Sequence, residues 1–295
     1  MRLGIFAARG HSRRKRQQTA WPWGDRSGQF RSVRTGQAAA LEPNVAQMAT
    51  HLNSGGPVWI FTLIGFGIVA LAHVAPARFV LDAMAGDRAV WHMPRVSPPT
   101  VYLTYDDGPN PTTTPDLLDV LGGEGAHATF FLIDRHVTDE TAPIIRRMFA
   151  EGHAVGLHSA TRGYMLQSPD ELARTLTGAA DRIETLAGTR PCRAFRPHAG
   201  WRGGQMYAGL RQIDYKLVGW GWMLWDWNWF RPRTADSVFA RTAARISAGD
   251  IMVMHDGDES APLKDQRHTV EATARLIPAL RARGFVFGTV CQNGG

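Results

Sequence analysis

"VYLTYDDGP" (Val101–Pro109) runs β-branched and aromatic residues directly into two carboxylates and a Gly-Pro break. The first six residues suit a pleated strand, and Asp, Gly and Pro are turn formers, so the chain is expected to leave the strand at Asp106. Taken alone, Asp106-Asp107-Gly108-Pro109 reads equally well as an ordinary turn. The rest of the chain decides between the two readings.

Six more short runs of the same kind lie C-terminal to it: "ATFFLI" (128–133), "AVGLHS" (154–159), "AFRP" (194–197), "KLVGWGW" (216–222), "DIMVMH" (250–255) and "FVFGTV" (285–290). Amphipathic stretches fill most of the gaps, at Thr114–Leu121, Thr138–Ala150, Ser168–Leu186, Gln205–Ile213, Ala235–Ile246 and Thr269–Arg283. The clearest opens with Ser168 as N-cap and Pro169 at the first helical position, carries acids in its first turn, and closes at Gly188. Strands alternating with helices predict a parallel α/β sheet, because parallel neighbours need helical crossovers. Closure of that sheet into a barrel is an added expectation that periodicity does not supply. In such folds the C-terminal strand ends carry the chemistry. Asp106, Asp107, His158, Arg196, Asp226 and His255 all fall at or just after those ends, which points to an enzyme.

The bulk composition is compatible with one large core plus an appendage: 295 residues, 44% hydrophobic and 20% charged. The net charge of +7 is concentrated in residues 1–56, which hold nine of the 33 Lys/Arg and two of the 26 acids; the remainder holds 24 of each. A neutral globular part without stacking motifs gives no support to nucleic-acid binding. The two cysteines, Cys192 and Cys291, have no CxxC spacing and read as plain core or loop residues.

Residues 1–56 lack a sustained apolar period and read as a disordered basic tail, with Met48 an alternative start. "PVWIFTLIGFGIVALAHVAPA" (57–77) then carries a single titratable side chain, His73, and has the length of a transmembrane or signal-anchor segment. Residues 78–99 are expected to be a linker and 100–292 the catalytic domain. The localisation expected is the cell membrane, single-pass, with the catalytic domain outside; a signal cleaved near "APA", giving a secreted or periplasmic protein, is the alternative.

"TYDDGP" (104–109), "HSATR" (158–162), "FRPHAGW" (195–201), "WGWMLWDW" (220–227) and "VMHDG" (253–257) resemble, in order and spacing, the five motifs of the polysaccharide deacetylase (NodB-homology, carbohydrate esterase family four) superfamily. The resemblance covers about residues 100–290. It implies a distorted (β/α)7 barrel that removes acetyl groups from N-acetylated, or O-acetylated, sugars with a divalent metal, zinc in the first instance. By position it makes Asp106 the general base, Asp107 and His158 metal ligands, and His255 the general acid. Arg196 would orient Asp106, Asp226 would fix the His255 tautomer, and Trp227 would wall the acetyl pocket. The alternating tryptophans 220, 222, 225, 227 and 229 otherwise read as packing. His127, His136 and His153 read as residues of loops or element ends and not as ligands.

Two positions depart from the pattern. Met223 stands where many relatives have an acid. Arg162 stands where the second histidine of the metal clamp belongs, four residues after His158 on an expected helical turn. A unit charge about 5 Å from a divalent ion opposes it by roughly 6–7 kcal/mol at an effective dielectric of 20. Three outcomes are open: the cation is completed by water or another side chain such as His198; Arg162 replaces the Lewis acid or grips an anionic sugar substituent; or the groove only binds glycan as a pseudoenzyme. A metal-independent hydrolase of small cyclic amides is the rival enzyme class.

Overall fold

The computed structural model describes residues 56–73, 85–221, 224–227 and 233–291, with side chains between 56 and 73 described only for 59–67. The basic tail, Trp222, Met223 and Trp229 lie outside the described residues, as does the end of the 57–77 stretch.

A helix, α1, spans Gly56–His73, and Trp59, Ile60, Phe61, Leu63, Ile64 and Phe66 on it are exposed. Among the described residues no helix is long and apolar enough to cross a membrane.

The strands are β1 (Ala89–Val90), β2 (Thr100–Asp106), β3 (Thr129–Ile133), β4 (Ala154–His158), β5 (Ala194–Arg196), β6 (Lys216–Val218), β7 (Ile251–His255) and β8 (Val286–Phe287). Between them lie α2 (Thr114–Gly123), α3 (Ala142–Ala150), α4 (Pro169–Ala187), α5 (Gly204–Gln212), α6 (Ala235–Thr242) and α7 (Arg267–Arg281). All strand pairs are parallel, in the order β1-β6-β5-β4-β3-β2-β7, with β8 on β2. The sheet curls into a half-barrel. Isolated bridges, His92 to Asp250 and Trp225 to Val253, span its gap in place of a continuous ladder. The seven expected strands are all present, and β1 is an eighth. It lies in the stretch read as linker, so the ordered domain starts before residue 100.

Side-chain alternation on β2 separates the two faces of the sheet. Val101, Leu103 and Tyr105 join the large cluster formed with the apolar faces of the helices, whereas Tyr102 packs inside the curl with Phe131, Ala194, Val218 and Ile251. Ser168 caps α4 by accepting from the Glu171 amide, and Gly188 closes that helix in the left-handed region.

Three local expectations are corrected. First, β6 stops at Val218 and does not run to Trp222, because the Val218 and Gly219 carbonyls are taken by Arg196 at 3.1 and 3.0 Å and are not free for a ladder. Second, Cys192 and Cys291, read as plain core or loop residues, form a disulfide across 99 residues that ties the start of the β5 strand segment to the chain beyond β8. Third, His158 and Arg162 do not share a helical turn. His158 ends β4, and Arg162 begins a separate 3-10 turn, Arg162–Leu166.

Candidate active site

Parallel register sets the rim. Asp106 is the register partner of His255 across β2 and β7, His158 pairs with Arg196 across β4 and β5, and Ile133 pairs with His158. Adjacent strands are about 4.8 Å apart, so these ends converge despite their separation in sequence. They open on a cavity of about 340 Å³ lined by Asp106, Asp107, His158, His198, His255 and Trp227, with Arg162, Arg233 and Glu259 also on its wall. Two of the sequence-predicted residues stand behind the wall: Arg196 and Asp226 are fully buried.

Arg196 donates to Asp106 Oδ1 at 2.7 Å and to Thr104 Oγ1 at 2.6 Å, and its guanidinium lies 4.1 Å from the centre of the Phe131 ring. With the two carbonyls on β6 and the residue after it, its donor fork is engaged on every side, which fixes the orientation of Asp106. The second pair is built similarly. Asp226 accepts from the His255 amide and from its Nδ1, both at 2.8 Å, which leaves Nε2 as the nitrogen open to the cavity. Burial pushes the His255 imidazole down, but Asp226, then Asp107 and Asp106, raise it to about 9. Asp226 is itself held below the ordinary carboxylate range: burial raises it and His255 more than reverses that. Trp227 stands 5.8 Å from His255, edge to face, and stacks on Trp225 at 4.9 Å.

Asp107 sits in the left-handed region, φ 70°, a conformation that Asp tolerates better than most residues. The surrounding loops impose it. His136 donates through Nδ1 to the Asp107 carbonyl at 3.0 Å, and the amides of Asp256 and Gly257 donate to the Asp106 carbonyl at 3.2 and 3.3 Å. The two loops abut so closely that a Cβ at Gly257 would overlap the Asp107 carbonyl oxygen, and one at Gly108 would lie 2.5 Å from the Asp256 carboxylate. The glycines of "DDGP" and "HDG" are therefore fixed by contact. Asp256, beneath this turn, hydrogen-bonds Thr114 at 2.5 Å, and burial raises its carboxyl to about 7.

The remaining wall is unmatched. His158 donates through Nδ1 to the Arg196 carbonyl at 2.8 Å, so Nε2 carries its lone pair; that nitrogen lies 3.2 Å from Asp107 Oδ1. With the imidazole neutral, two acceptors face each other there, and Asp107 Oδ1 has no hydrogen-bond partner. A proton or a metal ion between them satisfies both. Burial raises the Asp107 carboxyl, but His158, then His255 and His198, bring it well below the usual range; burial lowers His158, and Asp106 and Asp107 bring it above its ordinary value. One ligand atom each from Asp107, His158 and His198 lies within 4.8 Å of the others, the only such group among the described residues. Three ligands at 2.0–2.2 Å from one ion are at most about 4.4 Å apart, so the residues fit a divalent cation after a closure of a few tenths of an ångström.

The sequence pattern marks His136 as an element-end residue and assigns no role to Asp256, Arg233 or Glu259. His136 was signalled only by its place after a strand end, and Glu259 by no pattern.

A half-barrel with carboxylates and imidazoles at its strand ends defines a hydrolase-type site with one charged acid–base side and one side suited to a metal. The polysaccharide deacetylase family model matches residues 94–218. The chain is 37% identical over 210 residues to the chitooligosaccharide deacetylase of Sinorhizobium fredii, covering 66% of this chain and 92% of that protein. It is 30% identical over 203 residues to the peptidoglycan-N-acetylglucosamine deacetylase of Bacillus cereus, covering 68% and 91%. The family four acetyl xylan esterase of Clostridium thermocellum, solved with a cobalt ion, superposes with a TM-score of 0.56 at 33% identity, covering 65% and 88%. The chain belongs to the polysaccharide deacetylase family, hydrolases of carbon–nitrogen bonds other than peptide bonds.

Proposed function

We propose that the protein removes acetyl groups from the N-acetylated sugars of an extracellular or cell-envelope glycan. The observation that carries this reading is the pairing of Asp106 with His255 on adjacent strands, each backed by a buried partner of opposite charge. Asp106 accepts a proton from water as the water oxygen bonds to the acetyl carbon. His255 enters protonated, in keeping with its raised pKa, and gives its Nε2 proton to the amide nitrogen as the carbon–nitrogen bond breaks. The products are acetate and a free amine. Arg196 holds the base in line, and Asp226 holds the acid in the tautomer that aims Nε2 at the leaving group. Trp227 walls the acetyl side, and Arg162 contacts the sugar chain. Asp107 and His158 would hold a divalent cation, zinc by donor type, which when bound polarises the acetyl carbonyl and lowers the pKa of water. The names of the S. fredii and B. cereus relatives support N-acetylated substrates.

Export is part of the same proposal. It is supported by residues 57–77, an apolar stretch with no Asp, Glu, Lys or Arg that continues in sequence past α1, and by the six large apolar side chains exposed on that helix. The disulfide supports it as well, since such bonds persist in oxidising compartments. Anchoring at the membrane with the domain outside is the form proposed, and N-terminal sequencing of the mature protein separates it from a cleaved signal.

The test is acetate release from N-acetylated chitooligosaccharides and from peptidoglycan, with and without chelator. Release that chelator abolishes and zinc restores is the expected result. No release from folded, zinc-loaded protein on either substrate would leave only glycan binding.

A further inference from the structure

Resting on the reading that this site holds a divalent cation, we infer that the ligand missing at position 162 has moved to another loop: His198 is the third protein ligand, and Glu259 is the carboxylate that orients it. His198 Nε2 lies 3.1 Å from Glu259 Oε2, while His198 Nδ1 is buried with no hydrogen-bond partner. An imidazole that gives its Nε2–H to a carboxylate keeps its lone pair on Nδ1, the arrangement by which carboxylates orient metal-bound histidines. The unpaired Nδ1 belongs to the residue that clusters with Asp107 and His158, whose own facing atoms are both acceptors. Three strand-end segments thus each offer one ligand atom to the same cluster.

The backbone shows how the ligand is carried there. The Ser159 amide donates to the Arg196 carbonyl at 3.2 Å, and the His198 amide donates to Ser159 Oγ at 2.6 Å, so the segments after β4 and β5 are stitched side by side. Ala199, in the left-handed region at φ 51°, turns the chain straight after the histidine. "HSATR" therefore supplies one ligand and the hydroxyl that positions the next, and "RPHAG" supplies the other. Arg162 opens its own 3-10 turn, exposed and with no hydrogen bond or ion pair among the described residues. It lines the catalytic cavity and also a neighbouring one with Arg135. Its charge is free to meet substrate.

The test is metal binding by the full-length protein, stripped with chelator and titrated with Zn²⁺ against a chromophoric competitor, and with Co²⁺ read by its visible absorption. Wild type should take one equivalent. Glu259→Gln should bind about 10–100-fold more weakly. His198→Ala should lose more than that and change the Co²⁺ spectrum, whereas Arg162→Ala should lose nothing. Thermal unfolding of the metal-free variants checks that they remain folded, and Glu259→Gln serves as the independent probe if His198→Ala does not. Wild-type affinity and spectrum in both His198→Ala and Glu259→Gln, with loss in His158→Ala, would overturn the relocation and leave the cation reading standing. If wild type binds neither ion yet releases acetate in chelator, the cation reading fails and the relocation fails with it.

Discussion

The two sides of the cavity differ in how their polar atoms are matched. On the acid–base side, Asp106 and Asp226 each face a buried or nearly buried cationic partner at 2.7–2.8 Å, and the Arg196 fork is engaged by two carbonyls, a hydroxyl and a carboxylate. On the other side, Asp107 Oδ1 and His198 Nδ1 are buried without hydrogen bonds, and His158 Nε2 lies 3.2 Å from the Asp107 carboxylate. The first side is complete as protein; the second needs something positive to complete it. Catalytic groups that must keep one geometry are closed by buried charged partners, and the ligand atoms are left open.

The largest effect should come from opening a closed pair. Arg196→Met leaves the Asp106 charge buried without its partner, and the loss should be about 3–5 kcal/mol of stability in denaturant unfolding. A loss well under 1 kcal/mol would mean that water reaches Asp106 and that this side is not closed. A smaller change is expected at the other pair. With its pKa raised in the fold, His255 contributes stability that is fully present below the ordinary histidine value of about 6.5 and is lost as pH rises through about 9. As the proton donor it also sets the alkaline limb of the rate profile. Asp226→Asn removes the largest raising influence, so the alkaline limb of kcat/KM should move to lower pH. An unmoved limb would show that another group supplies the proton.

A third effect, also on stability, concerns Asp256, which underlies the turn that presents Asp107. Its carboxyl titrates near 7 in the fold against an ordinary value near 4, so the folded state holds a proton that the unfolded state has lost between those limits. Stability from this group is present at low pH and declines as pH rises from about 4 to about 7. Asp256→Asn should flatten that decline in unfolding midpoints measured across the same range, and an unchanged slope would show that the carboxyl is not held protonated.

The closed side was the more legible in sequence. Asp106 and His255 sit at strand ends, where the switch from a β-branched run to turn residues marks them, and Arg196 obeys the same rule; Asp226 lies eight residues beyond the end of β6, beside the isolated Trp225–Val253 bridge. The open side was only half legible. Asp107 and His158 share that signal, but "HSATR" reads as a helical turn and is a strand end leading into a bend, which moves Arg162 away from where a 3.6-residue period would put it. His198 could be placed on the rim as a candidate, yet its stitching to Ser159 is a contact between loops, and Glu259 comes from a third loop with no period at all. The same limit hid β1, which is two residues long and held by pairing with β6, and the Cys192–Cys291 bond, whose partners are 99 residues apart in sequence.

One measurement addresses the central claim most directly: acetate release by zinc-loaded wild type and Asp106→Asn, with zinc content determined on the same samples. Removing a general base costs about 10²–10⁴-fold in rate, so Asp106→Asn should fall by that factor with its zinc content unchanged. Equal rates in the two proteins, or loss of the metal together with the activity, would contradict the assignment of Asp106 as the base.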